Sequence, residues 1–243
     1  MNYPLIISIV LALSFVFSLG GVGSATAIVP ILVFMGEGFN TAKNAGLFIN
    51  VLSSSISTYH HHSKKRMEWM SALSLAIPAI FLSPIGAIFS QYLSHEILLL
   101  IFSIFLLYSA TVLIFLRKEG GNKEVKRIWL IIIGIISGFI AGLLGIGGGA
   151  IISPILALLG MDPKRIARLV PFAVLLSSLS GFLTYTMMGH IDIILLIVVA
   201  IPAMIGGYLG AHMMHHKLSS RQLKIIIGII FYALAIKAMI SII

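Results

Sequence analysis

Cysteine is absent from the chain, so disulfides, thiol chemistry and thiolate metal sites are excluded. Charge is scarce too: Asp, Glu, Lys and Arg together make up 9% of the 243 residues, and only seven of them are acidic. A soluble chain of this length needs far more charge to cover its surface. Polar segments long enough to fold as a separate domain are also missing. What remains is 59% hydrophobic, in recurring apolar runs of about 17–25 residues, the length at which a helix crosses hydrocarbon. The chain reads as an all-α polytopic membrane protein. The first run, from Tyr3 to Leu19, has no basic segment before it and passes into the next apolar stretch without a cleavage site. It reads as mature chain rather than signal peptide.

The net charge of +9 does not imply nucleic acid, because the basic residues sit in short loops between apolar runs. There they set topology and touch anionic lipid. Enzymatic constellations are lacking: no paired carboxylates, nucleophile elbow or HExxH helix is present.

The chain matches itself at an offset of 124 residues. Gly21, Gly23, Pro30 and Gly36 align with Gly145, Gly147, Pro154 and Gly160, and Ser53-Ser54 with Ser177-Ser178. Ile77-Pro78-Ala79 aligns with Ile201-Pro202-Ala203, and Gly86-Ala87 with Gly210-Ala211. Apolar residues coincide often by chance; glycine, proline and paired serines at one offset do not. The reading is an N-terminal repeat over residues 1–116, a cytoplasmic linker over 117–128 and a C-terminal repeat over 129–243. Each repeat holds a glycine-broken apolar stretch (3–36; 129–160) and three simpler helices, at 44–59, 70–91 and 96–116 and at 167–187, 191–213 and 222–242.

Loop charge chooses between two topologies. With eight single crossings, the main basic loops divide eight against six across the membrane, which is almost no bias. If each broken stretch is instead a hairpin that returns to its starting side, each repeat has three crossings and the second is inverted relative to the first. Fourteen of the sixteen Lys and Arg residues then face the cytoplasm, leaving only Lys43 and Lys237 outside, as positive-inside orientation requires. Both termini are then extracytoplasmic. We therefore expect two inverted-topology repeats, each a glycine-broken helical hairpin plus three transmembrane helices.

The paired breaks are the informative motif. Glycine admits backbone angles closed to other residues and lets another group approach closely. A helix resuming after such a break presents unpaired N–H groups and the positive end of its dipole. Two such ends meeting near the midplane make an anion site. The expected substrate-binding residues are Gly21, Gly23, Ser24, Ala25 and Thr26 at the first break, and Gly145, Gly147, Gly148, Gly149 and Ala150 at the second. Asn50, Ser53 and Ser177 are added from the following helices. A plainer use of such glycines is close helix packing. All seven carboxylates fall in loops or at span ends, so no acidic cation site or proton relay is visible, and an anionic or neutral substrate is favoured. Lys43 and Arg168, near the start of the second helix of each repeat, are expected to gate opposite mouths. Pro78, Pro84 and Pro202 are expected to kink the third helices. His60, His61, His62, His212, His215 and His216 are expected in cytoplasmic loops. They have no acidic or thiol partners nearby, so no metal ligand and no cofactor is assigned.

The run from Gly138 to Pro171, GFIAGLLGIGGGAIISPILALLGMDPKRIARLVP, resembles the signature of the TauE/SafE (sulfite exporter) family of membrane permeases. The stretch from Phe17 to Ser55 resembles the first repeat of that family, departing from the second copy at Val22, Ser24 and Ala25. The resemblance covers nearly the whole chain. It implies a secondary transporter exporting small sulfur-containing anions such as sulfite or organosulfonates. The partners expected are that anion and the lipid bilayer, in the plasma membrane of a prokaryote; a homodimer is compatible with this. Two rival readings are a metal-ion permease using the histidines and a non-transporting membrane scaffold.

Overall fold

The computed structural model describes residues 3–19, 23–63, 68–115, 124–213 and 220–241. Among them are ten α-helices and one 3-10 turn, and no strand. The helices are α1 (Tyr3–Leu19), α2 (Ala25–Phe34), α3 (Phe39–Ser63), α4 (Trp69–Phe89), α5 (His95–Phe115), α6 (Arg127–Leu144), α7 (Gly149–Leu158), α8 (Pro163–Met187), α9 (Ile193–Met213) and α10 (Ser220–Ile240). Five are long and apolar enough to cross a membrane: Trp69–Tyr92, which includes the 3-10 turn, His95–Phe115, Arg127–Leu144, Arg165–Met187 and Ile193–Gly210. This is a multi-pass membrane protein.

Every boundary of α2, α3 and α4 recurs 124 residues later in α7, α8 and α9. Local signals explain the shared boundaries. Both short helices end on a glycine with positive φ, Gly36 at 96° and Gly160 at 87°, where only a residue without Cβ closes the turn cheaply. Glu37 N–H then reaches back to Leu32 C=O, and Met161 N–H to Leu156 C=O, both at 3.0 Å. Asp162 and Asp192 cap α8 and α9 by accepting from Arg165 N–H at 3.2 Å and Leu195 N–H at 2.9 Å.

The packing pairs equivalent helices. α3 lies on α8 and α5 on α10, while α6 packs on α4 as α1 does on α9. The partners α3 and α8 run in opposite directions: Asn44 bonds Thr186 at 3.2 Å, and further along α3 Phe48 meets Phe182 with ring centroids 5.2 Å apart. α5 and α10 are opposed likewise, since Thr111 bonds Tyr232 at 2.8 Å while Ile114 packs on Gly228. α4 and α6 instead run parallel. Gly134, Gly138 and Gly142 lie against the backbone of Leu75, Ala79 and Ser83, so a Cβ at any of the three would collide with main chain. A glycine on every fourth residue is what allows two helices to approach this closely.

Contacts at the helix ends fix the course of the broken stretches. Arg127 at the start of α6 donates to Ser74 near the start of α4 at 3.0 Å. After α7, Arg165 pairs with Glu68, immediately before α4, with Nη2 2.6 Å from Oε2. The α6–α7 unit therefore leaves from and returns to one end of the bundle, called here the Arg165 end. The α1–α2 unit does the same at the opposite, Lys43 end. There Phe34 lies under Lys237 near the end of α10, with Nζ 4.3 Å from the ring centroid, and Phe39 meets His95 at 5.1 Å between ring centroids.

Several boundaries differ from expectation. α3 begins five residues earlier than the sequence pattern places it and runs through His60–His62 to Ser63; at its start Lys43 is buried and Asn40 bonds it and His190. Those three histidines and His212 thus lie on helices, not in loops. α8 similarly starts at Pro163 and α6 at Arg127. Pro78, Pro84 and Pro202 lie inside α4 and α9 without ending them. His215, His216, Gly21, the basic run Lys64 to Arg66 and residues 117–123 of the linker lie outside the described residues.

Candidate functional site

The two breaks meet in the middle of the bundle. Gly149, the first residue of α7, is so close to the first break that a Cβ on it would stand 3.3 Å from Gly23 N. Between the breaks lies Asn50, fully buried, twelfth of the 25 residues of α3. Its Oδ1 accepts from Ala25 N–H at 3.3 Å, and its Nδ2 donates to Ile146 C=O at 3.0 Å. One amide thus binds the start of α2 to the backbone of the second break. The second break turns through positive φ at Gly145, Gly147 and Gly148, at 72°, 72° and 75°. Three left-handed residues within four positions are what end one helix and aim the next.

The donors at the two helix starts fare differently. At the first, Ala25 N–H is taken by Asn50, Thr26 N–H by Gly23 C=O at 3.4 Å, and Ala27 and Ile28 N–H by Ser24 C=O at 3.1 and 3.2 Å. At the second, Ile151 and Ile152 N–H both go to Gly148 C=O at 3.0 Å. Gly149 and Ala150 N–H have no backbone acceptor among the described residues. Several hydroxyls around the breaks are buried with no hydrogen-bond partner among the described residues, namely Ser24, Thr26 and Ser178. Ser177 is occupied, donating to Val174 C=O at 3.2 Å and Gly147 C=O at 3.5 Å, as is Ser53, donating to Asn50 C=O at 3.4 Å.

A cavity of about 40 Å³ opens beside the breaks, lined by Ser18, Gly23, Ser53, Ser54 and Ser57 on one side and Val170, Pro171 and Val174 on the other. That is room for about two or three waters, polar on one wall and apolar on the opposite one. Gly23 and Ser53 are the sequence-expected site residues that reach it.

Lys43 is not the interfacial anchor that a lysine near a helix start usually is: it is 0% exposed. Its stem fills the space that a side chain on Gly145 would need. Its Nζ donates to Asn40 Oδ1 at 3.2 Å and lies 4.5 Å and 5.5 Å from the ring centroids of Phe39 and Tyr185. Asn40 Nδ2 in turn meets His190 Nε2 at 3.3 Å, and Asn44 Nδ2 donates to His190 C=O at 2.7 Å. Tyr185 donates to Gly142 C=O at 2.8 Å and lies 2.9 Å from Ser90 Oγ. Sequence reading missed this cluster of Asn40, Asn44, Tyr185 and His190. The signal within reach was Asn40, Lys43 and Asn44 at three- and four-residue spacing, one face of a helix. Arg168 lies one turn into α8, at the opposite end of the antiparallel pair from Lys43, and is half-buried. Outside the membrane, burial and the neighbouring Asp192 raise the Glu37 carboxyl above its ordinary range.

Comparison with known proteins agrees with this architecture. A model of the family described as "Sulfite exporter TauE/SafE" matches residues 5–238. A "Probable membrane transporter protein" of Methanocaldococcus jannaschii is 28% identical, over 93% of this chain and 91% of that one. Another so named, from Bacillus subtilis, is 26% identical over 95% and 94% of the two chains. A "Sulfite exporter TauE/SafE family protein 1" of Arabidopsis thaliana is 33% identical over a shorter stretch, 30% of this chain and 16% of that one. The relatives are named as transporters, not enzymes. With five described helices long and apolar enough to cross a membrane, paired glycine breaks and a match running from one terminal helix to the other, the chain belongs to the sulfite exporter TauE/SafE family of membrane transporters.

Proposed function

We propose that this protein is a secondary transporter that exports small sulfur-containing anions, such as sulfite or organosulfonates, by alternating access. The observation that carries the reading is the meeting of two helix breaks at mid-bundle, with N–H groups of Gly149 and Ala150 left unpaired among the described residues beside a cavity. Backbone donors and the positive end of a helix dipole suit a compact oxyanion, and the described span interiors hold no carboxylate to repel one. The names of the Arabidopsis relative and of the family favour sulfite among such anions.

The opposed directions of α3 and α8, and of α5 and α10, support two inverted repeats. The Glu68–Arg165 pair supports placing the basic segments after α3 and before α8 on one side. That side is the cytoplasm by positive-inside orientation, with both termini outside in a prokaryotic plasma membrane. Lys43 and Arg168 then stand at opposite mouths as gates. A cavity of about 40 Å³ is smaller than an open ligand site, which fits an occluded state that rocking of one repeat against the other would open.

The test is efflux from proteoliposomes loaded with sulfite, sulfoacetate or chloride. Concentrative or exchange transport of the sulfur anions, absent from liposomes without protein, is expected. Equal flux of all three, or none, overturns the proposal.

A further inference from the structure

The two breaks are related by sequence but differ in what they offer an anion. Residue by residue, Ala25, Thr26, Ala27 and Ile28 correspond to Gly149, Ala150, Ile151 and Ile152. All four N–H groups of the first set have acceptors, whereas in the second set only Ile151 and Ile152 do among the described residues. The cause is one substitution between the repeats. The residue that corresponds to Asn50 is Val174. Asn50 caps α2 with its amide oxygen; Val174 occupies the matching place before α7, where its Cγ2 would lie 3.0 Å from a Cβ on Gly149, and an isopropyl group accepts nothing. A buried N–H left without a partner is costly and calls for a ligand or water.

Two further observations fall on the same break. Ser178 Oγ is fully buried and unpartnered among the described residues, 2.6 Å from where a Cβ on Gly147 would stand. The atoms closest to Gly149 belong to Val174, Gly23 and Val170, and all three residues line the cavity. We propose that the anion site is one-sided: the N–H groups of Gly149 and Ala150, with the Ser178 hydroxyl, hold one oxyanion group, while Asn50 seals the matching end of α2 and ties the two breaks together. This rests on the transport reading above and narrows it. The ligand class is a single SO3-type head, whose oxygens accept from two backbone donors and a hydroxyl, its remainder lying toward the cavity. Asn50 acts as a positioning residue, and Val174 sets which break stays open.

Val174→Asn tests this by supplying to α7 the amide that α2 already has. Detergent-purified wild type and variant are titrated with sodium sulfite and with sulfoacetate, reading the thermal midpoint at each concentration. The variant is expected to need about tenfold more anion or beyond, the effect of ~1.4 kcal/mol in binding, with an anion-free midpoint no lower than that of wild type. Ser178→Ala is expected to weaken binding about threefold or more, the lower range for one lost hydrogen bond. Hydrogen–deuterium exchange on the wild type needs no variant: sulfite should protect peptides covering residues 145–152 and leave those covering 23–28 unchanged. Binding by Val174→Asn within twofold of wild type, or protection arising at 23–28 instead, overturns the one-sided site while transport stands. A wild type that neither shifts nor gains protection with any anion overturns both.

Discussion

At the Lys43 end of the α3–α8 pair a lysine amine is fully buried and is met by one amide oxygen and two aromatic faces. At the other end Arg165 is met by the Glu68 carboxylate in a fork, and both side chains reach solvent, 18% and 36% exposed. Charging the first is expensive, because a charge taken out of water without a counter-charge recovers little of its lost hydration. The second costs little, because each part-buried charge meets its counter-charge and still touches water. Basic residues thus do two jobs in one chain. At the Arg165 end they report which loops share a side; at the Lys43 end a single amine is kept inside, against the glycine that opens the second break.

The comparison can be broken most directly by reversing the buried charge. Lys43→Glu should lower anion efflux by about a hundredfold or more, the kinetic equivalent of ~3 kcal/mol, in protein that still inserts, and Lys43→Arg should keep part of the activity. Efflux at the wild-type rate from Lys43→Glu proteoliposomes would reduce this end to packing. Tyr185→Phe probes the same end more gently. It leaves Gly142 C=O and Ser90 Oγ without their shared partner, and should cost about 1–3 kcal/mol, read as a lower thermal midpoint with fold and insertion preserved. At the Arg165 end, Glu68→Gln should change stability by about 0–1 kcal/mol, so its midpoint should stay close to that of wild type. A loss as large as that of Tyr185→Phe would erase the contrast between the ends.

The smallest effect concerns pH. Glu37 is held above its ordinary value of 4.5 by burial and by Asp192. The folded state therefore binds its proton more tightly than the unfolded chain does. Its favourable contribution is complete below 4.5 and is lost as pH rises through the raised folded value. Thermal midpoints between pH 4 and 7 should show a shallow decline on that account, and Glu37→Gln should flatten it. Because Glu37 is only part-buried, screening keeps the slope small.

Much of this was legible in the chain alone. Gly145, Gly147 and Gly148 announced a break because no other residue accepts three left-handed positions so cheaply, and Gly36 and Gly160 marked the ends of the short helices for the same reason. Asn50 and Ser53 were singled out as substrate-binding residues, but the bridge that Asn50 makes between two backbones was not foreseen. The stripe of Gly134, Gly138 and Gly142 passed unnoticed because its meaning depends on Leu75, Ala79 and Ser83, more than fifty residues away. Tyr185 and His190 were invisible as site residues because nothing local distinguishes them from interfacial aromatics. They acquire a role only when the antiparallel course of α3 brings Asn40 and Asn44 against them.

The amino-acid order by itself determined the solvent, the number of apolar segments, the duplication and the places where helices stop. Each is set by the transfer energy of a run of side chains or by the backbone freedom of a single residue, and neither needs a distant partner. Only the tertiary structure decided which buried donors remain unpaired and where Lys43 places its charge. Hydrogen bonding and burial are properties of pairs and neighbourhoods, and these exist only once segments distant in the chain are packed together.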